Sequence, residues 1–308
     1  MNRENFVLSE QQCERSFDNN GPFWHLCTPG DNIGILFSDR EEFKYGMNLM
    51  ALCRLLCSDV EIYTHTLMNN HIHAIVGGKR ESCLDFFKEF KKRLQRYLSN
   101  KRRMIDLAGF ECALIPIPDL KSLRSEIVYV NRNGYVVNNK CTPYSYMWGS
   151  GIYYFNPLLR HAHALLAKPI TASVGRRIFK TRDLIPLESL LFYDDFALPT
   201  TYSSVAKGES LFRNAHHYFN LLTKDWEAYS AISQRLGDKI FLTDDELYGA
   251  ISSYTLKHYN TNKPSNLSPK DKLSVARVMH FDYHANNRQI RSILRLESSV
   301  VQELFPKG

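Results

Sequence analysis

The stretch Met68-Asn69-Asn70-His71-Ile72-His73-Ala74-Ile75-Val76-Gly77-Gly78 sets two histidines either side of one apolar residue, adds an apolar run and closes on a glycine pair. Read as a β-strand it alternates faces with period two, so His71, His73 and Ile75 point one way and Ile72, Ala74 and Val76 the other. Two imidazoles on neighbouring same-face positions can reach one divalent cation and leave its other positions open to substrate oxygens. The plainer alternative is two buried or half-buried histidines with ordinary hydrogen bonds. Because a His-x-His spacing is short and arises often by chance, the spacing alone favours that alternative.

Working outward, Val60 to Met68 reads as a strand, and Asn69-Asn70 as a tight turn, since asparagine tolerates positive φ. Together with His71 to Val76 these make a hairpin. Upstream, Phe23 to Thr28 reads as a strand stopped by Pro29-Gly30. Ser38-Asp39 then caps a helix from about Arg40 to Leu56, with Phe43, Met47, Met50 and Leu55 on its apolar stripe. Downstream, about Ser82 to Arg102 carries Leu84, Phe87, Phe90, Leu94 and Leu98 at spacings of three and four, an amphipathic helix. Glu111 to Ile117 reads as a fourth strand. The order strand, helix, strand, strand, helix, strand predicts an α+β protein with a ferredoxin-like core and an antiparallel sheet. Residues 1 to 20 read as an irregular, polar lead-in.

The chain has 308 residues, 44% of them apolar and 23% charged, as in soluble globular proteins, with room for two domains and a small third piece. No apolar run approaches the roughly 18 residues of a membrane span, and Met1 to Val7 has no apolar signal core. The seven cysteines, none after Cys141, read as reduced thiols. Cys53 and Cys57 are expected to face the core, with zinc the weaker reading. The expected location is cytoplasmic and nucleoid-associated. The net charge is +7, and Lys79 to Met104 alone holds ten basic and three acidic residues. A positive field concentrated in one helix suits phosphates first. Lys88, Lys91, Lys92, Arg93, Arg96, Lys101, Arg102 and Arg103 are the candidate contacts.

Lys121 to about Asn133 reads as one more helix, with Tyr129 and Asn133 one turn apart on the same face. Alone, a tyrosine there is a packing residue with its hydroxyl satisfied. Beside a His-x-His strand it can be a nucleophile. A phenol with an ordinary pKa near 10 then needs activation by a metal or a basic surround. Asn133 could add a third ligand oxygen.

The set Met68 to His73, then the basic helix, then Tyr129-Val130-Asn131-Arg132-Asn133, resembles the single-tyrosine HUH transposases, nearest the REP-associated tyrosine transposase branch. Tyr144-Ser145-Tyr146-Met147-Trp148-Gly149-Ser150 is similar to the aromatic-Trp-Ser block of that family, and the likeness spans roughly residues 21 to 155. It implies that His71, His73 and Asn133 hold Mg2+ or Mn2+. It further implies that Tyr129 attacks a phosphodiester of single-stranded or hairpin DNA to give a 5′-phosphotyrosine and a free 3′-hydroxyl. Two departures stand out: Asn69 and Gly134 occupy positions where the family usually has proline. The rival readings are an HUH replication initiator or relaxase, and a domesticated DNA-binding protein without the chemistry. The partners expected are DNA and at most a second copy of the chain, with no membrane.

His161 and His163 form a second His-x-His, but the leucines around them suggest a helix, where residues two apart diverge by about 200°. Tyr135, after Gly134, is the runner-up nucleophile, expected past the helix end. His65 is expected to be structural. The tyrosines from 144 to 154 either stack on bases or pack. The predicted domains are 1–157, a helical extension 158–260, and a three-helix unit 261–308 after a polar linker at 260–266. In the last, Ser268 caps one helix that runs to about His284, Asn287 to Leu294 forms the second, and Glu297 to Phe305 the third. Helices of this size resemble a helix-turn-helix, with plain packing nearly as good a reading. Arg288, Gln289, Arg291 and Arg295 tilt the choice toward DNA.

Overall fold

The computed structural model describes residues 7–30, 34–103, 105–136, 145–180, 187–224, 226–236 and 242–306. The chain is α+β and divides into two compact units, Met1–Leu222 and Thr223–Gly308.

In the first unit, α1 (Glu10–Asp18) precedes β1 (Phe23–Cys27), α2 (Arg40–Leu56), β2 (Glu61–Leu67), β3 (Ile72–Gly77), α3 (Arg80–Asn100), β4 (Ala113–Ile117) and α4 (Leu120–Val136). The four strands form one antiparallel sheet in the order β2-β3-β1-β4. Every strand and helix expected between residues 21 and 133 is present, within a few residues of its expected ends. The lead-in is not irregular, however: Ser9 and Gln12 form a reciprocal capping box that starts α1. Glu10 is held by Arg124 of α4 at 2.5 Å, and Cys13 is fully buried. The hairpin turn closes with Met68 N–H donating to the His71 carbonyl at 2.9 Å. Neither Asn69 nor Asn70 adopts positive φ. The asparagines serve as anchors instead. The Asn69 carbonyl accepts from Leu36 and Phe37 N–H, and the Asn70 amide donates to the Gly30 carbonyl.

The two faces of the sheet differ. Leu26, Ile62, Leu67, Ile72, Ala74 and Val76 pack against Met47, Met50, Phe86, Phe87, Phe90 and Leu94 of α2 and α3, an apolar core. The opposite face lies under α4. There Thr66 Oγ1 donates to the Val130 carbonyl at 2.7 Å, and Thr64 Oγ1 donates to Asn131 Oδ1. A bulge in β2 makes this possible: Ile62 pairs with Val76 but Thr64 with Ile75, so residue 63 is skipped and the strand changes phase.

Helix α4 runs to Val136, so Tyr135 is inside it rather than beyond its end. Gly134 makes room for the Tyr146 ring against the helix, because a Cβ there would stand 2.1 Å from it. The aromatic block continues along the free edge of β2, where Leu67 N–H donates to the Trp148 carbonyl and Ser150 N–H to the His65 carbonyl. Trp148 stacks on Phe43 with centroids 5.0 Å apart. Tyr144 lies outside the described residues. Tyr153 and Tyr154 are buried and pack rather than face solvent, with Tyr154 Oη donating to the Tyr63 carbonyl at 2.8 Å. The rest of this unit holds α5 (Pro157–Leu166), α6 (Ala172–Ile178), the β5 (Phe192–Tyr193) and β6 (Phe196–Ala197) ribbon, α7 (Val205–Glu209) and most of α8 (Ala215–Lys224).

The second unit contains α9 (Trp226–Leu236), α10 (Asp244–Tyr259), α11 (Pro269–Phe281), α12 (Asn287–Leu294) and α13 (Ser298–Leu304). The expected linker at 260–266 is not a free tether. Asn260 ends α10 in the left-handed conformation, and Pro264 and Leu267 are buried. Ser268 Oγ accepts from Asp271 N–H at the start of α11, as expected, and α11 ends at Phe281, short of His284. Among the described residues no helix is long and apolar enough to cross a membrane.

Candidate active site

Period-two alternation puts His73 on the α4 side of the sheet, and α4 presents Tyr129 to it. The His73 ring centroid lies 4.9 Å from that of His71 and 5.5 Å from that of Tyr129, edge-on to both. The structure therefore brings together the three groups the sequence singled out. Asn133 is buried one helical turn beyond Tyr129. His71 is half-buried and precedes β3, with its Nδ1 2.7 Å from Asn70 Oδ1. His73 and Tyr129 are 0% and 1% exposed, so of the two histidines and the phenol only His71 reaches the surface.

Two further side chains belong to the cluster, and the sequence reading missed both. His25 of β1 lies with Nε2 3.1 Å from His73 Nδ1, and its Nδ1 is 2.7 Å from Glu126 Oε2 on α4. Its ring is also 5.9 Å from Tyr129. The signal was available. In a β-α-β-β-α-β sheet the first and third strands are neighbours, and Glu126 precedes Tyr129 by one helical turn. Burial, then the neighbouring His71 and His25, hold His73 well below the ordinary imidazole pKa. His65 is a separate, structural group. Its Nδ1 meets Ser150 Oγ at 2.7 Å and its Nε2 meets Tyr202 Oη at 3.2 Å, and burial lowers its pKa to about 3. His161 and His163 lie on α5, where His163 bonds Tyr153.

The basic helix α3 packs on the other face of the sheet, away from the histidines. Several of its cations are engaged: Lys88 with Asp85, Lys91 with Glu111, Lys92 and Arg93 with Glu89. Arg103 reaches Glu42 and the carbonyls of Ile35 and Leu36, where it fastens the chain ahead of α2. Arg96, Lys101 and Arg102 are exposed. In the second unit Arg288 pairs with Asp244, and Gln289 donates to the Leu242 carbonyl and to Asp244. Arg291 is exposed, and Arg295 caps the end of α12 in the left-handed conformation.

Among the described residues no three His, Cys, Asp or Glu side chains cluster as a metal site. No protein-family model, no curated protein and no solved structure matches the chain.

Proposed function

We propose that this chain is a metal-dependent, single-tyrosine transposase or endonuclease of the REP-associated kind, acting on single-stranded or hairpin DNA and built on a ferredoxin-like HUH core. Support for the core comes from the strand order β2-β3-β1-β4 with α4 laid over the histidine-bearing face. The observation that carries the chemistry is the convergence of His71, His73 and Tyr129 around one ring.

Two imidazoles and an amide oxygen can hold a divalent cation that keeps open positions. Both imidazoles have Nδ1 engaged elsewhere, so Nε2 is the nitrogen each would offer a ligand, and the Asn133 amide lies one turn past the nucleophile. His71, His73 and Asn133 would hold Mg2+ or Mn2+, which supplies charge stabilisation at the non-bridging phosphate oxygens. Tyr129 Oη forms the bond to phosphorus as the bond to the 3′ oxygen breaks. The phenol gives up its proton and the departing oxygen takes one up, leaving a 3′-hydroxyl. The reverse step rejoins a strand.

The test is incubation with an end-labelled hairpin oligonucleotide and Mg2+ or Mn2+. A denaturant-resistant protein–DNA adduct is expected from the native chain and none from Tyr129→Phe. An adduct that survives in the Phe variant removes Tyr129 from this role. A second reading, a DNA-binding protein without the chemistry, is favoured by one observation: Tyr129 is 1% exposed, so a strand reaches it only if covering groups move. No metal-dependent nicking by the native chain would select that reading.

A further inference from the structure

The geometry points to Glu126 and His25 as positioning residues that hold His73 in a single tautomer, with the proton on Nδ1 and the lone pair on Nε2. All three side chains are buried, and the two contacts run in series from Glu126 Oε2 through both His25 nitrogens to His73 Nδ1. A carboxylate only accepts, so His25 Nδ1 carries the hydrogen. With one proton on each ring, His25 Nε2 is then an acceptor, and His73 Nδ1 must be the donor to it. His73 Nε2 is left as a base. Metal-binding histidines are commonly oriented by a partner at the other ring nitrogen. Here that partner is itself a histidine, set by a carboxylate on the same helix as Tyr129. The helix that presents the nucleophile therefore also fixes the protonation pattern of the imidazole beside it.

The tautomer follows from the hydrogen bonds when each ring carries a single proton, whereas its use in holding a cation rests on the nuclease reading, so the test has two arms. In the native protein at pH 8, above the ordinary imidazole pKa of about 6.5, long-range proton–nitrogen NMR should show His73 protonated on Nδ1 and bare on Nε2. The opposite tautomer overturns the proposal. In Glu126→Gln the amide can accept or donate, so the order is no longer imposed and His73 should populate both tautomers. In the second arm, titration with Mn2+ should give an affinity about 10- to 100-fold weaker in Glu126→Gln than in the native chain. His25→Phe, checked for folding by circular dichroism, should show the same loss. If both variants keep native tautomer and native Mn2+ affinity, Glu126 and His25 have no positioning role. If the native chain shows the expected tautomer and binds no Mn2+, the orienting chain stands and the nuclease reading falls.

Discussion

The two faces of one sheet use alternate residues of the same strands and obey opposite rules. Toward α2 and α3 the strands offer Leu26, Ile72, Ala74 and Val76 to a cluster of phenylalanines. Toward α4 they offer His25, Thr64, Thr66 and His73, all buried, to Glu126, the Tyr129 ring, the Val130 carbonyl and Asn131. Burying apolar groups drives folding, whereas burying polar ones costs free energy unless each finds a partner. A face that meets that cost with a network of hydrogen bonds is a poor choice if stability were the only demand. The contrast between them separates what holds the sheet together from what the sheet is for.

The largest expected effect lies on the polar face. Tyr129→Phe should abolish covalent attachment to DNA while leaving hairpin binding within about twofold and the thermal midpoint nearly unchanged. Phe90→Ala, on the apolar face, should reverse that pattern by removing a fully buried ring. A loss of about 3–5 kcal/mol of stability is expected in denaturant titration, and a loss under 1 kcal/mol would mean the α3 side is not the main core. Thr64→Val leaves Asn131 Oδ1 without its donor and should cost about 1–3 kcal/mol, with the strand pairing kept.

Acid gives a finer probe. His65 has its pKa lowered to about 3 in the fold, so the unfolded chain binds the proton more readily. The stability this neutral ring contributes is complete above about pH 6.5 and should be lost as pH falls from there toward 3. His65→Gln should flatten that part of the profile measured by chemical denaturation. The smallest effect belongs to the outer face of α3. Lys88→Ala should leave stability essentially unchanged, because its pair with Asp85 is exposed. If the helix meets phosphate, the same change should lower the salt slope of DNA binding by about one. An unaltered slope would take Lys88 out of the contact set.

The apolar face was legible from sequence. Phe87, Phe90, Leu94 and Leu98 lie buried where their spacing placed them, and the period-two reading of residues 71 to 76 put His73 on the face where it is found. The polar face was only half legible. The skipped residue in β2 switches which of its side chains face α4, and nothing in the run Glu61 to Leu67 announces it. His25 and Glu126 were missed because they act through pairing between distant segments. The cap that starts α1 needs only Ser9 and Gln12, a local signal easily masked by the polar residues around it. Charge was the least legible: Arg103 and Arg288 count toward the basic total, and only folding shows the carboxylates and carbonyls that stand beside them.

The bare backbone at position 134 limits how this chain can vary. The ring of Tyr146 sits where any side chain would begin and donates its hydroxyl to the Leu67 carbonyl at 2.6 Å. A methyl at 134 would push that ring off the turn that carries His71, or bend the helix end that carries Asn133. Sequence change there must arrive as a pair, a larger residue at 134 with a smaller one at 146, and a larger residue alone would be felt at both His71 and Asn133.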